Sequence, residues 1–245
     1  MRRIYVLCIV LGLLACAGML QRKLKGPLVK MAGTTIGEKS VAERVTEFGD
    51  SVHGRLAGRF REIGVSYPPG KLLLVGLKQE RELEVWVADG VGRFRYLKTY
   101  PVLGASGTVG PKLREGDRQV PEGMYKIESL NPNSRFHLAL RVNYPNEFDK
   151  AKGRQDGRAQ LGSDIMIHGG SASVGCLAIG DQGAEDLFVL AAETGIKNIE
   201  VVLTPVDFRV RELPSDLPAL PGWTAELYEQ IKKALLSLKK PTERN

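Results

Sequence analysis

The sequence predicts a mainly β fold, a sandwich or barrel with one inserted helix, flanked by one helix on the N-terminal side and one on the C-terminal side. Three observations predict it. Short alternating or continuous apolar runs recur between residues 72 and 203, and such runs bounded by turn residues are the signature of strands. Glycine, at 28, and proline, at 13, are plentiful among the 245 residues, which suits turn-rich β structure better than a helical bundle. Apolar residues at helical spacing are concentrated before and after that region instead.

The chain opens on Met1, Arg2 and Arg3, followed by an apolar run over 4–20 and then Gln21, Arg22 and Lys23. A charged start, an apolar middle and small residues at its end describe a secretory signal. Three outcomes compete for residues 1–20. Ala15-Cys16-Ala17 is a small-x-small cleavage site. Leu13-Leu14-Ala15-Cys16 resembles a bacterial lipoprotein box in which Cys16 is lipidated. The run is also at the short limit of a retained spanning helix. Each outcome places the rest of the chain outside the cytoplasm, in the cell envelope or, for a bacterial chain, the periplasm, with membrane contact only through this N-terminal segment.

Residues 21–40 are polar and read as a linker. Over 41–63, Val41, Val45, Phe48, Val52, Leu56, Phe60 and Ile63 recur every three or four positions and form one apolar helix face. Gly49, Gly54 and Gly58 weaken that helix in isolation, so it needs the main domain to pack on. Tyr67-Pro68-Pro69-Gly70 closes the segment 41–70. A β-rich domain follows over 71–204. Its run 72–77 is continuously apolar, while 83–87, 94–97 and 136–142 alternate, with a hairpin turn at Asp89-Gly90. Residues 165–167 and 199–203 are short buried-type strands, and 184–194 between them is a helix stopped by Gly195.

The tail 205–245 is proline-rich as far as Pro221 and then carries Trp223, Leu227, Ile231, Leu235 and Leu238 at helical spacing. Glu226 and Glu229 come early in this helix and Lys232, Lys233, Lys239 and Lys240 late, as the helix dipole favours. It reads as a helix docked on the domain, with a membrane-surface helix as the alternative. The net charge of +7 is spread among acids, with no basic cluster interleaved with aromatics, so no nucleic-acid partner is expected. A basic surface instead holds the protein near an anionic polymer such as a cell wall.

Cys8 and Cys16 lie in the signal, which leaves Cys176 alone in the exported part. No intramolecular disulfide forms there. A solitary thiol in an oxidising compartment is a liability unless it works, pairs between chains or is buried. Around it, a buried strand delivers His168 to its end, a loop of small residues follows, and Cys176 stands where the chain re-enters a strand. Small residues let the backbone approach a substrate, with N–H groups of Gly175 and Cys176 directed at a developing oxyanion. A free thiol is only a few per cent ionised at neutral pH; an imidazole in contact raises that fraction and later protonates a leaving amine. The expectation is therefore that His168 and Cys176 meet across the loop, with the sulfur partly ionised and exposed. The carbonyl of Gly169 or the hydroxyl of Ser173 orients the ring.

The plainer alternative is a satisfied strand-end histidine and a core cysteine. One His and one Cys make only half a metal-ligand set, and neither a metal nor another cofactor is expected. His53 and His137 read as surface or packing residues. The stretch 104–112 superficially resembles a phosphate loop, but Gly110-Pro111-Lys112-Leu113 lacks both the Gly-Lys adjacency and the following hydroxyl residue.

His168-Gly169 followed by Ser173-Val174-Gly175-Cys176 resembles the signature of the L,D-transpeptidase catalytic domain, the YkuD-like family. The resemblance extends over roughly 60–204. Lys78-Gln79-Glu80-Arg81, the block from Gly110-Pro111-Lys112 to Gly116-Asp117, Val120-Pro121-Glu122-Gly123 and Leu140-Arg141-Val142-Asn143-Tyr144-Pro145 look like its murein-transpeptidase, YafK-like subgroup. By their place in these blocks Lys112, Arg114, Arg141 and Tyr144 are substrate-binding candidates, together with Gly170 of the loop. The His-to-Cys loop is shorter than in most members. Many members also carry an arginine two residues after the cysteine, where this chain has Ala178; the partner of a substrate carboxylate is thus unassigned.

The resemblance implies a YkuD-like β fold over 71–204, a Cys176–His168 centre and peptidoglycan stem peptides as substrate, and so a place in peptidoglycan biosynthesis, cell-wall biogenesis and cell shape. It implies that Cys176 attacks the carbonyl at the L-centre of the diamino acid in a tetrapeptide stem, that the terminal D-alanine leaves, that the thioester passes to an amine, and that carbapenems inhibit. Two alternatives stand beside this. One is an amidase of the same fold that uses water to release a wall-linked lipoprotein or trim cross-links. The other is a non-catalytic wall-binding module, against which the intact His168 and Cys176 pair argues.

Overall fold

The computed structural model describes residues 37–240. The expected export signal, with Cys8 and Cys16, and most of the linker lie outside the described residues. Helix α1, Val41–Ile63, begins at a capping box in which Ser40 Oγ accepts from the Glu43 N–H and Glu43 accepts from the Ser40 N–H. It ends at Gly64, whose φ of 66° is the left-handed cap that glycine adopts without strain. Its buried face, Val52, Leu56 and Phe60, lies in the main core. No helix among the described residues is long and apolar enough to cross a membrane.

Eight strands follow in one curled sheet: β1 Leu72–Leu77, β2 Glu82–Ala88, β3 Phe94–Pro101, β4 Gly123–Ser134, β5 His137–Val142, β6 Met166–His168, β7 Leu177–Ala178 and β8 Ile199–Thr204. Their order across the sheet is β3-β2-β1-β8-β4-β5-β6-β7. Three further helices are α2, Glu147–Gln155, α3, Gly180–Thr194, and α4, Thr224–Leu236. The unbroken apolar run of β1 is explained by its surroundings, because both its faces are covered. Leu72 and Leu74 join the core that α1 and α3 cap, while Leu73, Val75 and Leu77 pack with Trp86, Val202 and the α4 residues Leu227, Ile231 and Leu235.

Most neighbouring strands pair antiparallel, and two pairs do not. β1 lies parallel to β8 and β6 parallel to β7. β8 reaches β1 after the long crossover through α3, so no hairpin dictates its direction. The β6–β7 link is short, but the strands have only three and two residues, so residues 169–176 suffice to carry the chain back. Strand β4 and helix α2 were not expected from the sequence. The cue for α2 is its capping box, Asn146 with Asp149, since Gly153 is its only buried residue and no apolar periodicity marks it. Helix α3 starts four residues earlier than 184 because Gly180 to Gly183 reads as turn-like; the buried Asp186 on it bonds Arg55 Nε and Tyr100 Oη, each at 2.7 Å.

The two edges of the sheet meet. Just beyond β3, Leu103 donates to the Ala178 carbonyl and Ala178 donates back to Gly104, each at 2.8 Å. This seam between the end of β3 and β7 closes the sheet toward a barrel, and it passes two residues from Cys176. Gly104 is required there: a side chain would bring its Cβ within 2.3 Å of the Ser171 carbonyl oxygen.

Candidate active site

β6 ends on His168, which is buried. Its Nδ1 lies 2.6 Å from the Gly169 carbonyl oxygen. A carbonyl only accepts, so Nδ1 carries the proton and Nε2 keeps its lone pair. Of the two ring-orienting candidates, Gly169 therefore does this work. Burial holds the imidazole below its ordinary pKa, partly offset by the bond to Gly169. The ring is also covered by Phe136, stacked at 4.6 Å between centroids and 27° between planes. Phe136 arrives from the β4–β5 turn, where His137 adopts a φ of 70°.

The parallel register sets Ile167 beside Leu177 and His168 beside Ala178. Cys176 is consequently level with Met166, whose N–H points at Sγ from 3.3 Å. The thiol donates to the Asp164 carbonyl at 3.4 Å. Cys176 is half-buried, not sealed in apolar packing. The expectation of a partly ionised sulfur bonded to the imidazole is corrected here: among the described residues its partners are Met166 and Asp164, and burial pushes the thiol above its ordinary pKa. The Met166 N–H works against that rise, the Asp164 charge adds to it, and Lys112 and Ser173 oppose it. With a neutral imidazole nearby, no positive charge from the ring stabilises a thiolate.

The proposed oxyanion donors are both engaged. The Gly175 N–H donates to Ser106 Oγ at 2.8 Å, and the Cys176 N–H to Ser173 Oγ at 3.1 Å. Ser173 thus holds the backbone of Cys176, and its hydroxyl is not the group bonded to the ring. Gly175 adopts a φ of 80°, which sets the turn before the cysteine. The Gly170 N–H is taken by Asp181 Oδ1 at 2.8 Å, so that residue anchors the loop to the start of α3. At Gly169 a Cβ would come within 2.6 Å of Asp181 Oδ1 and 2.7 Å of the Phe136 carbonyl oxygen.

The outer candidates divide. Arg141 is joined to the site, since it pairs with Asp164 and with Glu128 at 3.1 Å. Lys112 is buried and bonds Asp117 Oδ1 at 2.6 Å and the Arg114 carbonyl at 2.9 Å; its charge reaches Cys176, but its ammonium is already used. Tyr144 is buried, with its hydroxyl bonded to the carbonyls of Leu161 at 2.9 Å and Lys112 at 3.3 Å. It ties two loops together. Arg114 is exposed, its backbone N–H held by Asp117. His53 and His137 bond Glu193 and Glu185. Ala178 is fully buried at the seam, a place with no room for an arginine. Among the described residues no group of three or more His, Cys, Asp and Glu converges as a metal site.

Phe136, Asp164, Ser106 and Asp181 complete the site and were missed from the sequence. For Ser106 a signal existed in the small residues of Gly104-Ala105-Ser106-Gly107, the stretch set aside as a false phosphate loop. For the others the contact spans distant parts of the chain.

The YkuD family, described as the L,D-transpeptidase catalytic domain, matches residues 70–206. A curated Escherichia coli K12 protein named "Putative L,D-transpeptidase YafK" is 37% identical over 113 residues, covering 45% of this chain and 43% of that protein. The chain thus spans less than half the length of this relative. Among solved structures, the helical cell shape determining protein Pgp2 from Campylobacter jejuni is 25% identical at a TM-score of 0.44, over 54% of this chain and 47% of its own. Bd1075 from Bdellovibrio bacteriovorus is 21% identical at 0.42, over 67% and 54%.

Proposed function

This chain belongs to the L,D-transpeptidase catalytic domain family, and on that premise we propose that it is an exported cysteine acyltransferase acting on peptidoglycan stem peptides. The observation that carries the reading is the β6–β7 register. It sets a half-buried thiol level with Met166, two residues from an imidazole whose Nδ1 is satisfied and whose Nε2 is a proton acceptor.

In the resting arrangement the thiol is parked on the Asp164 carbonyl. Rotation about its Cα–Cβ bond turns it toward the ring. His168 Nε2 then takes the thiol proton as Sγ bonds the carbonyl carbon at the L-centre of the diamino acid. The C–N bond to the terminal D-alanine breaks, and the imidazolium proton passes to the leaving amine. In the second half an amine nitrogen bonds the thioester carbon, the C–S bond breaks, and the amine proton returns through His168 to sulfur. The developing oxyanion takes the place of the Ser106 and Ser173 hydroxyls at the N–H groups of Gly175 and Cys176. Water in place of the amine gives the hydrolytic version, which releases a wall-linked lipoprotein or trims cross-links.

The test has two stages. Purified protein is incubated with a carbapenem and its intact mass measured; an adduct on wild type that is missing from Cys176→Ala is expected. Absence of any adduct favours the wall-binding module. Incubation with sacculi and mass analysis of the muropeptides then separates the acceptors: new direct diamino-acid cross-links mean an amine, and freed lipoprotein or shortened stems mean water. His168→Ala is expected to abolish turnover with the fold kept.

A further inference from the structure

A groove of about 650 Å³ runs between the β1–β2 turn, the loop that follows the seam and the proline-rich tail, with Ala105, Val109 and Val120 on one side and Pro214, Leu217 and Pro218 on the other. Ser106 lines it as well, and Ser106 Oγ is the group that accepts the N–H of Gly175. The groove therefore reaches the turn that carries the nucleophile.

Three charged side chains line this space, Lys78, Arg81 and Asp216. The Lys78 ammonium is buried and used up by Glu122 Oε1 at 2.7 Å and by the carbonyls of Gly110 and Val120, each at 2.9 Å. Arg81 is different. It is exposed, and its Nε and Nη2 donate to the carbonyls of Val102 at 3.2 Å and Leu103 at 3.0 Å. Two of its five N–H donors are thereby spent on holding the guanidinium still, and the rest stay available to a ligand. Leu103 in turn donates to the Ala178 carbonyl, so the cation is anchored on the seam itself, where position 178 is buried and offers no charge. Asp216 also lines the space, but it is exposed, so solvent screens its charge.

We propose that Arg81 is the carboxylate anchor for the side of the substrate that leaves and is replaced during acyl transfer, and that the groove is its binding site. The proposal rests on the acyltransferase reading above. The leaving D-alanine carries a carboxylate on the carbon next to the nitrogen that departs. An amino-acid acceptor carries the same group next to the nitrogen that attacks, so one fixed guanidinium serves both halves of the reaction. A pre-oriented arginine is suited to this, because a planar fork meets a carboxylate in two parallel bonds.

The full chain is given two synthetic tetrapeptide stems that differ only at the end, one with a free D-alanine carboxylate and one with D-alaninamide. Release of the terminal residue is followed by mass spectrometry. Wild type is expected to favour the free acid by about tenfold in kcat/KM, the scale of one charge-assisted contact. In Arg81→Gln the ratio falls to about one, through a rise in KM for the acid, and Arg81→Lys restores part of it. A wild-type ratio of one overturns the proposal. So does an Arg81→Gln ratio equal to wild type, whether or not both rates drop together, since a common drop marks a purely structural role at the seam. If wild type releases neither end group, the acyltransferase reading itself fails.

Discussion

Phe136 lies flat on His168, 4.6 Å between ring centroids, and so closes one face of the imidazole to water. Burial is the main cause of the lowered pKa of that histidine. A base with a lowered pKa stays neutral further into the acid range, so under the proposed mechanism the stack would carry acylation toward low pH. Phe136→Ala is expected to wet the ring and move its pKa back up toward 6.5, shifting the acid limb of the acylation rate to higher pH. Phe136→Tyr is expected to keep the wild-type limb. The measurement is the pH dependence of carbapenem acylation, and an unmoved limb in Phe136→Ala would remove the proposed role.

The thiol of Cys176 titrates among opposed charges. The Asp164 carboxylate raises its pKa and the Lys112 ammonium lowers it. Only the thiolate alkylates readily. Asp164→Asn is therefore expected to bring the onset of iodoacetamide labelling to lower pH, and Lys112→Met to higher pH. Labelling is read on the peptide that contains Cys176. Shifts in the same direction for both variants would contradict this account.

Gly169 and Gly170 predict different costs for one methyl group. At Gly169 an added Cβ meets the Phe136 carbonyl oxygen at 2.7 Å, and backbone does not give way. Gly169→Ala is expected to lose roughly 1–3 kcal/mol of stability, in the range of over-packing. Gly170 has only Phe136 Cδ1 near, at 3.8 Å, and a φ of 68°, so Gly170→Ala is expected to cost about 1 kcal/mol from backbone conformation alone. Urea unfolding orders the two.

Asp186 fastens α1 to α3. Its carboxylate is fully buried, with Arg55 Nε and Tyr100 Oη at 2.7 Å and Lys98 Nζ at 3.5 Å. Asp186→Ala leaves the buried Tyr100 hydroxyl without its acceptor, while Arg55 keeps Glu185 Oε2 at 3.1 Å, and a loss of about 1–3 kcal/mol is expected. A urea midpoint close to wild type would show the network to be unimportant for stability.

The pieces legible in the sequence are those that local spacing determines. The helical face from Val41 to Ile63, the buried strand Leu72–Leu77 and the strand end that carries His168 follow from apolar period alone, and Gly195 announces its helix stop. Cys176 stood out because it is the one cysteine beyond the N-terminal apolar run. Helix α2 shows the limit of this kind of reading. It is held by its cap and not by an apolar face, so periodicity passes over it.

By itself the sequence determined the helix over 41–63, the buried strand β1 and the strand end at His168, and it singled out His168 and Cys176 as the pair proposed for the chemistry. Tertiary structure alone decided which group each polar atom faces. Gly169 and Ser173 were equal candidates to orient the ring, and the fold turned the Gly169 carbonyl to His168 and the Ser173 hydroxyl to the Cys176 N–H. The seam from Gly104 to Ala178, the stack of Phe136 on His168 and the resting bond of Cys176 to Asp164 are of the same kind. The physical reason is that hydrogen-bonding and stacking groups have many possible partners of nearly equal worth. Only the closure of the sheet, which brings residues 104, 136, 168 and 178 together, chooses among them.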